Sequence, residues 1–274
     1  MDSDQSNRLF GKTIVVTGAA GLLGKEHCRA IILNGGIPVL LDSDAARLEV
    51  TRNSLTQEFN LAITGFTCDI TNEASLREIS AEIESKIGLV SGLVNNASVN
   101  PSVENKNSNF DRVETLSREV WLRELEVGLY GTFLCTKIFG GRLKELKKSG
   151  SIVIVSSDHG IIAPKQSLYE LNKNSDLNPV KPVTYSVVKH GQIGLARYFS
   201  TYWAEFGIRV NALCPGGVEN NQNLDFIKRV SNEIPLGRLA HKNEYHGALV
   251  FLLSDDSTYM TGASLVIDGG RSVW

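Results

Sequence analysis

Cysteine is scarce and scattered. Cys28, Cys68, Cys135 and Cys214 form no Cys-x-x-Cys pair and no Cys/His ligand spacing, which argues against a disulfide framework and against a zinc site of familiar spacing. They read as isolated thiols in a reduced cytoplasm. The histidines (His27, His159, His190, His241 and His246) form no metal-like pair either, so no metal is expected, and only His159 falls near a candidate site. No apolar run approaches the ~20 residues of a membrane-spanning helix. Residues 1–7 are polar and lack the apolar stretch of a signal peptide. There is no basic excess: 28 Lys and Arg stand against 30 Asp and Glu, with no Lys/Arg tract, so neither nucleic acid nor membrane is expected as a partner. What remains is ordinary globular composition, 42% hydrophobic over 274 residues, enough for one large α/β domain.

Within that length, short apolar runs alternate with helix-length periodic segments. The runs lie at 12–17, 37–41, 63–68, 89–95, 151–156, 208–213 and 264–267. The periodic segments lie at 22–34, 45–59, 73–86, about 117–148, 184–205 and 243–253. Repeated β-α-β with β-branched strands predicts a parallel sheet covered on both faces. No repeat, linker or composition break divides it. The expected fold is therefore a single-domain α/β, Rossmann-like doubly wound parallel sheet over residues 1–274. Two stretches break the rhythm: a polar loop at 99–109, and a long insert at 163–183 carrying Pro164, Pro179 and Pro182. Long aperiodic segments in compact domains are often binding loops or lids.

The first strand runs into Thr17-Gly18-Ala19-Ala20-Gly21-Leu22-Leu23-Gly24 and straight on into a helix. Gly18 permits the tight turn, Gly21 lets the backbone approach a pyrophosphate, and Gly24 lets the helix pack closely. The free N–H groups of the helix N-terminus then face the phosphates. Asp42 closes the second strand, 18 residues after Gly24, about where an acid bonds the adenosine ribose. Its alternative is to cap the following helix. A carboxylate there repels a 2′-phosphate, so NAD is expected in preference to NADP. Asp69 ends the third strand, either near the adenine or as a helix cap at 71–73. Asn95-Asn96-Ala97-Ser98 ends the fourth on the same carboxyl edge, where open α/β sheets bind ligands.

Tyr185-Ser-Val-Val-Lys189 falls in a helical segment. Positions i and i+4 share one face, so phenol and amine reach the same point. A nearby ammonium favours the phenolate, and a Tyr tuned this way can move a proton on and off a substrate hydroxyl. The spacing alone also fits an amphipathic helix with one aromatic and one snorkelling Lys.

Taken in order, the Thr17–Gly24 loop, Asn95-Asn96-Ala97, Val155-Ser156-Ser157, Tyr185-x-x-x-Lys189, Pro215-Gly216-Gly217 and Thr261-Gly262 with Asp268-Gly269-Gly270 resemble the short-chain dehydrogenase/reductase family over nearly the whole chain. Val183–Val187, Asn211-Ala212-Leu213 and the terminal Asp268–Trp274 resemble its flagellin modification protein A branch, which is associated with unusual sugars of surface glycans. The resemblance implies an oxidoreductase moving hydride between NAD and a secondary alcohol or ketone of a small sugar derivative. In it, Tyr185 is the acid/base, Lys189 lowers its pKa and binds ribose, and Ser157, rather than its neighbour Ser156, orients the substrate. Gly18, Gly21, Leu22, Leu23, Gly24, Asp42, Asp69, Ile70, Asn96 and Ala97 line the cofactor groove, with Pro215, Gly216, Gly217 and Val218 along the nicotinamide. It also implies a homodimer or homotetramer packed through the long helix and the Tyr185 helix.

Three departures from that family's pattern matter. The Gly18/Gly21/Gly24 spacing resembles the branch of sugar-nucleotide epimerases and dehydratases, which keep NAD bound; this alternative stays open. Gly128 stands where the family has an Asn that helps relay protons from the Lys, which also leaves open a non-catalytic NAD-binding protein. Ser157 and Tyr185 are 28 residues apart, about twice the usual separation, the excess being the 163–183 insert. That insert is expected to fold over the substrate, with His159, Lys165, Tyr169, Glu170 and Lys173 offering polar groups; a surface loop or subunit contact is the alternative.

Overall fold

The computed structural model describes residues 7–99, 112–169 and 178–274. Seven strands form one sheet: β1 (Thr13–Thr17), β2 (Ile37–Asp42), β3 (Thr64–Thr67), β4 (Val90–Asn95), β5 (Gly150–Val155), β6 (Ile208–Pro215) and β7 (Ser264–Ile267). Their order is β3-β2-β1-β4-β5-β6-β7, and every neighbouring pair is parallel. The chain runs outward from β1 to β3, then returns to place β4 on the other side of β1. The reversal opens a crevice at the carboxyl ends of β1 and β4, and Gly18 and Asn96 begin the loops at its rim.

The helices are α1 (Leu22–Leu33), α2 (Ala45–Phe59), α3 (Glu73–Lys86), α4 (Arg118–Leu125), α5 (Thr132–Cys135), α6 (Gly141–Glu145), α7 (Val183–Tyr202), α8 (Leu224–Ser231) and α9 (His246–Leu253). Strand residues alternate between two cores, as the two-residue pleat requires. Val15, Leu41, Leu93, Ile152 and Ile154 pack with Leu76, Ile83, Leu134, Phe139, Ile193 and Phe199 from α3, α5–α7 and the turns between them. Ile14, Val16, Leu40, Val94, Val153 and Val155 pack on the other face with Ile31, Leu55, Leu249 and Leu253 from α1, α2 and α9. Each such side chain, fully buried, contributes about 1.5–3 kcal/mol.

Three features differ from the periodicity reading. The segment expected as one helix at 117–148 is α4, α5 and α6 joined by π turns at Glu126–Gly131 and Thr136–Gly140; Gly128 lies inside the first. α8 was missed because its stretch is only eight residues long. Within the 163–183 insert, Gln166–Tyr169 form a 3-10 turn and Val183 begins α7. Leu168 and Tyr169 of that turn pack with Val230, Ile234 and Leu239 beside α8. Glu170, Lys173 and most of the 99–109 loop lie outside the described residues.

Candidate active site

The Gly loop is held from beneath by Asn96. Its Nδ2 donates to the carbonyls of Thr17 and Gly18 at 3.1 and 3.0 Å, while Thr17 Oγ1 accepts from the backbone N–H groups of Asn96 and Ala97 at 3.0 and 3.1 Å. Gly18 sits at φ +61°, and a Cβ there would fall 2.8 Å from Ala97 Cα, so both conformation and space demand glycine. Gly24 is buried behind the loop rather than on the cavity wall. A Cβ on it would come within 2.1 Å of the Gly18 carbonyl oxygen, so its contribution is to let α1 close against the loop. No side chain caps the start of α1, which leaves its first N–H groups and positive dipole end directed at the crevice.

Asp42 does not cap α2; Asp44 does, accepting from the Arg47 N–H. The Asp42 carboxylate instead ties β2 to the Gly loop, accepting from the Ala20 N–H at 2.9 Å and the Asp44 N–H at 3.0 Å. Asp69 accepts from the Thr71 N–H and hydroxyl at 2.9 and 2.8 Å, while Asn72 caps α3. Arg47, a cation that strand-end reasoning overlooked, donates to the Ala20 carbonyl at 3.0 Å beside Asp42. Its signal in the sequence was a basic residue in the first turn after the second strand.

Ser156 and Ser157, adjacent at the end of β5, have separate jobs. The buried Ser156 hydroxyl donates to the Lys189 backbone carbonyl at 2.7 Å. It is committed to docking α7, and a Cβ at Gly160 would sit 2.5 Å from that hydroxyl. The Ser157 hydroxyl donates to Asp158 Oδ1 at 2.8 Å and accepts from the His159 N–H at 3.2 Å. Asp158 in turn accepts from Arg271 Nη1 through Oδ2 at 2.7 Å, and both partners are buried. An arginine next to the C-terminus thus fixes the carboxylate that orients Ser157, a link no local pattern reveals.

On α7, Thr184, Val188, Lys189, Gln192, Ile193, Ala196 and Phe199 are buried, a helical stripe that turns Tyr185 and Lys189 toward β5. Lys189 Nζ donates to the Val155 carbonyl at 2.9 Å and to Gln192 Oε1 at 3.1 Å. It lies 5.6 Å from the Tyr185 ring centroid. Burial, reinforced by Lys181, pulls the Lys189 amine down to about 7. Tyr185 moves against the expectation: burial pushes its phenol up to about 12, opposed by a Ser157 hydrogen bond and reinforced by the Asp158 carboxylate. Burial disfavours the charged phenolate and sets the direction here. A second lysine, also missed, covers the phenol: Lys181 Nζ lies 3.7 Å from the ring centroid. It stands four residues before Tyr185, as Lys189 stands four after. Burial lowers it to about 8, against the pull of Asp158 and Glu124. His159 meets the Tyr185 ring edge-on at 6.0 Å, and burial lowers its imidazole to about 4 despite Asp158, so it is neutral near pH 7.

One cavity of about 1450 Å³ joins these groups. Gly18, Gly21, Leu22, Leu23, Asp42, Asp69, Ile70, Asn96 and Ala97 line one end. Ser157, Tyr185, Lys189 and Pro215–Val218 line the other. Of the insert and its neighbourhood, His159, Tyr169 and Lys181 reach the wall. Lys165 does not, being paired at the surface with Glu233 at 2.6 Å. The Tyr169 ring meets Phe226 at a tilt, centroids 5.7 Å apart, and Arg229 Nε donates to the Leu168 carbonyl at 3.1 Å, so the Gln166–Tyr169 turn is fastened to α8. Among the described residues, no helix is long and apolar enough to cross a membrane.

The enoyl-(acyl carrier protein) reductase family model matches residues 18–272. Post-translational flagellin modification protein A of Campylobacter coli is 31% identical, the match covering 96% of this chain and 98% of that protein. The L-tagatose-forming galactitol 2-dehydrogenase of Cereibacter sphaeroides is also 31% identical, over the full length of both. A short-chain dehydrogenase of Leptospira borgpetersenii, solved with bound NAD+, superposes with a TM-score of 0.84 at 27% identity, covering 99% of this chain and 96% of that one. Matched from its glycine loop to its C-terminal arginine, the chain belongs to the short-chain dehydrogenase/reductase family of oxidoreductases.

Proposed function

We propose that this protein moves hydride between a nicotinamide cofactor, NAD in preference to NADP, and a secondary alcohol or ketone on a small polyol or sugar derivative. The observation that carries the reading is the convergence of Ser157, Tyr185 and Lys189 with the Gly18 loop on one cavity. The named activity of the galactitol relative supports a polyol, and the flagellin-modifying relative supports a precursor of a surface glycan. The residues fit a dinucleotide: the bare start of α1 suits a pyrophosphate, and Asp42 and Asn96 stand where ribose and nicotinamide halves would be held.

The bound nicotinamide supplies the hydride donor or acceptor and, when oxidised, a positive charge. In oxidation, Ser157 would hold the substrate hydroxyl, and Tyr185, as phenolate after its own proton has passed to solvent, would take the hydroxyl proton as hydride passes to the nicotinamide. In reduction, Tyr185 returns that proton to the carbonyl oxygen. Lys189 keeps one N–H for the cavity side, where it would bond a cofactor ribose hydroxyl. Lys181 and Lys189 flank the phenol with positive charge, which favours phenolate as the proton moves. Tyr169 and Lys181, from the described parts of the 163–183 insert, line the substrate end of the cavity. Exposed Tyr130, Phe133, Val187, Tyr198 and Tyr202 on the long helix and α7 support a homodimer or homotetramer packed through those helices, in the cytoplasm.

The test is incubation with NAD and a panel containing galactitol, mannitol and threitol, read at the reduced-nicotinamide absorbance. Wild type is expected to reduce NAD with at least one polyol, and Tyr185→Phe to lower kcat by about 10²–10⁴-fold. A panel with no absorbance change defeats the polyol reading. Substrate conversion without free NADH would favour retained-cofactor epimerisation instead.

A further inference from the structure

Gly128 poses a question that α7 answers. A Cβ at position 128 would lie 2.4 Å from Val188 Cγ1, so no side chain fits there while Val188 holds its place. Three residues beyond Lys189, Gln192 is completely buried. Its Oε1 accepts from Lys189 Nζ at 3.1 Å, and its Nε2 donates to the Gly128 carbonyl at 3.0 Å. The chemistry of the partners determines the amide orientation: an ammonium only donates and a carbonyl only accepts. Gly128 lies in the π turn Glu126–Gly131, and its carbonyl also accepts from the Thr132 hydroxyl at 2.8 Å. Both of its lone pairs are thereby taken. Neither an amide nor a peptide carbonyl takes up a proton in the working pH range, so the α5 side offers Lys189 a hydrogen bond but no proton acceptor.

We propose that Gln192 is the positioning residue for Lys189 in this chain: its buried amide takes the place of the side chain missing at 128, ties the lysine to the π turn, and leaves the ammonium one N–H, directed to the cavity. The role of Lys189 in turnover rests on the oxidoreductase reading; the tie between Gln192 and Lys189 does not. Gly128, Val188 and Gln192 then form one compensating set. Val188 fills the space above the glycine, and Gln192 reaches past it to the glycine carbonyl.

Three proteins test this: wild type, Gln192→Glu and Gln192→Leu. The pH dependence of Lys189 acylation is measured by competitive labelling with trace acetic anhydride and peptide mass spectrometry, with thermal melting as the check on folding. Wild-type Lys189 is expected to titrate near 7. The near-isosteric Gln192→Glu places a carboxylate on the ammonium and is expected to raise that midpoint by about one to three pH units. Gln192→Leu removes the acceptor and is expected to lower it. A Gln192→Glu midpoint equal to that of wild type would overturn the proposal, whatever Gln192→Leu does to folding. The labelling needs neither cofactor nor substrate, so its result stands apart from the polyol assay that tests the oxidoreductase reading.

Discussion

Ser156 and Ser157 differ by one position and by which way the chain turns at the end of β5. One hydroxyl is spent on the α7 backbone; the other faces Tyr185. The family resemblance favours Ser157, and the Ser156–Lys189 hydrogen bond supplies a physical reason for that preference. The proposed preference for NAD rests at this scale on Asp42. Its replacement by Ala removes a charged acceptor worth about 1.5–3 kcal/mol, so NADH affinity should fall roughly tenfold or more. Arg47 remains at the rim, so the NADPH/NADH affinity ratio should rise. Fluorescence titration with both reduced cofactors checks this, and an unchanged ratio would remove Asp42 from the selectivity argument. The buried lysines make a second residue-scale prediction. Lys189 at about 7 lies below its ordinary 10.5, so the unfolded chain binds more protons across that interval and stability rises with pH through it. Lys181, lowered to about 8, adds to the rise. Tyr185, raised from 10 to about 12, opposes it: its contribution is complete below pH 10 and is lost toward pH 12. The urea midpoint of the cofactor-free protein should therefore climb from pH 7 to about 8.5, above which the thiols of Cys28, Cys68, Cys135 and Cys214, all raised by burial, oppose it, and Lys189→Met should flatten that climb.

At the scale of elements, the Gly18–Gly24 turn was legible because its requirements are local: a positive φ and a close helix. The two π turns were not legible, because a π turn keeps the chain helical and nothing in residue type marks where the extra residue is accommodated. The Gly128 substitution was visible in sequence, but its compensation was not: Val188 and Gln192 lie on another helix, brought near by the packing of α4 and α7. Gly128→Asn, which restores the family residue, is expected to destabilise the protein by about 1–3 kcal/mol through overpacking against Val188. Combining it with Val188→Ala should recover most of that loss. Chemical denaturation of the single and double variants measures both effects, and a neutral Gly128→Asn would show that the helices separate more easily than this packing implies.

Across the whole molecule, the C-terminal segment reaches the candidate active site. Arg271 reaches Asp158, 113 residues earlier in the chain, and Asp158 orients Ser157. Arg271→Ala leaves a buried carboxylate without its cation, a loss of about 3–5 kcal/mol for broken buried pairs. The melting temperature should fall by several degrees. With the polyol substrate, kcat should fall more than KM rises, because Ser157 loses its orientation. Equal stability in wild type and Arg271→Ala would mean that water replaces the guanidinium.

The sequence by itself determined the alternation of strand and helix, the phosphate turn and the Tyr185–Lys189 pair, because each follows from neighbours within a few residues: pleat, helical repeat and glycine conformation. Tertiary structure decided what surrounds that pair. Arg271 behind Asp158 and the tie from Gln192 to the Gly128 carbonyl depend on contacts between separate elements. So does the direction in which Tyr185 titrates. Desolvation is a property of the closed interior, and no spacing of residues along the chain reports how completely a phenol will be cut off from water.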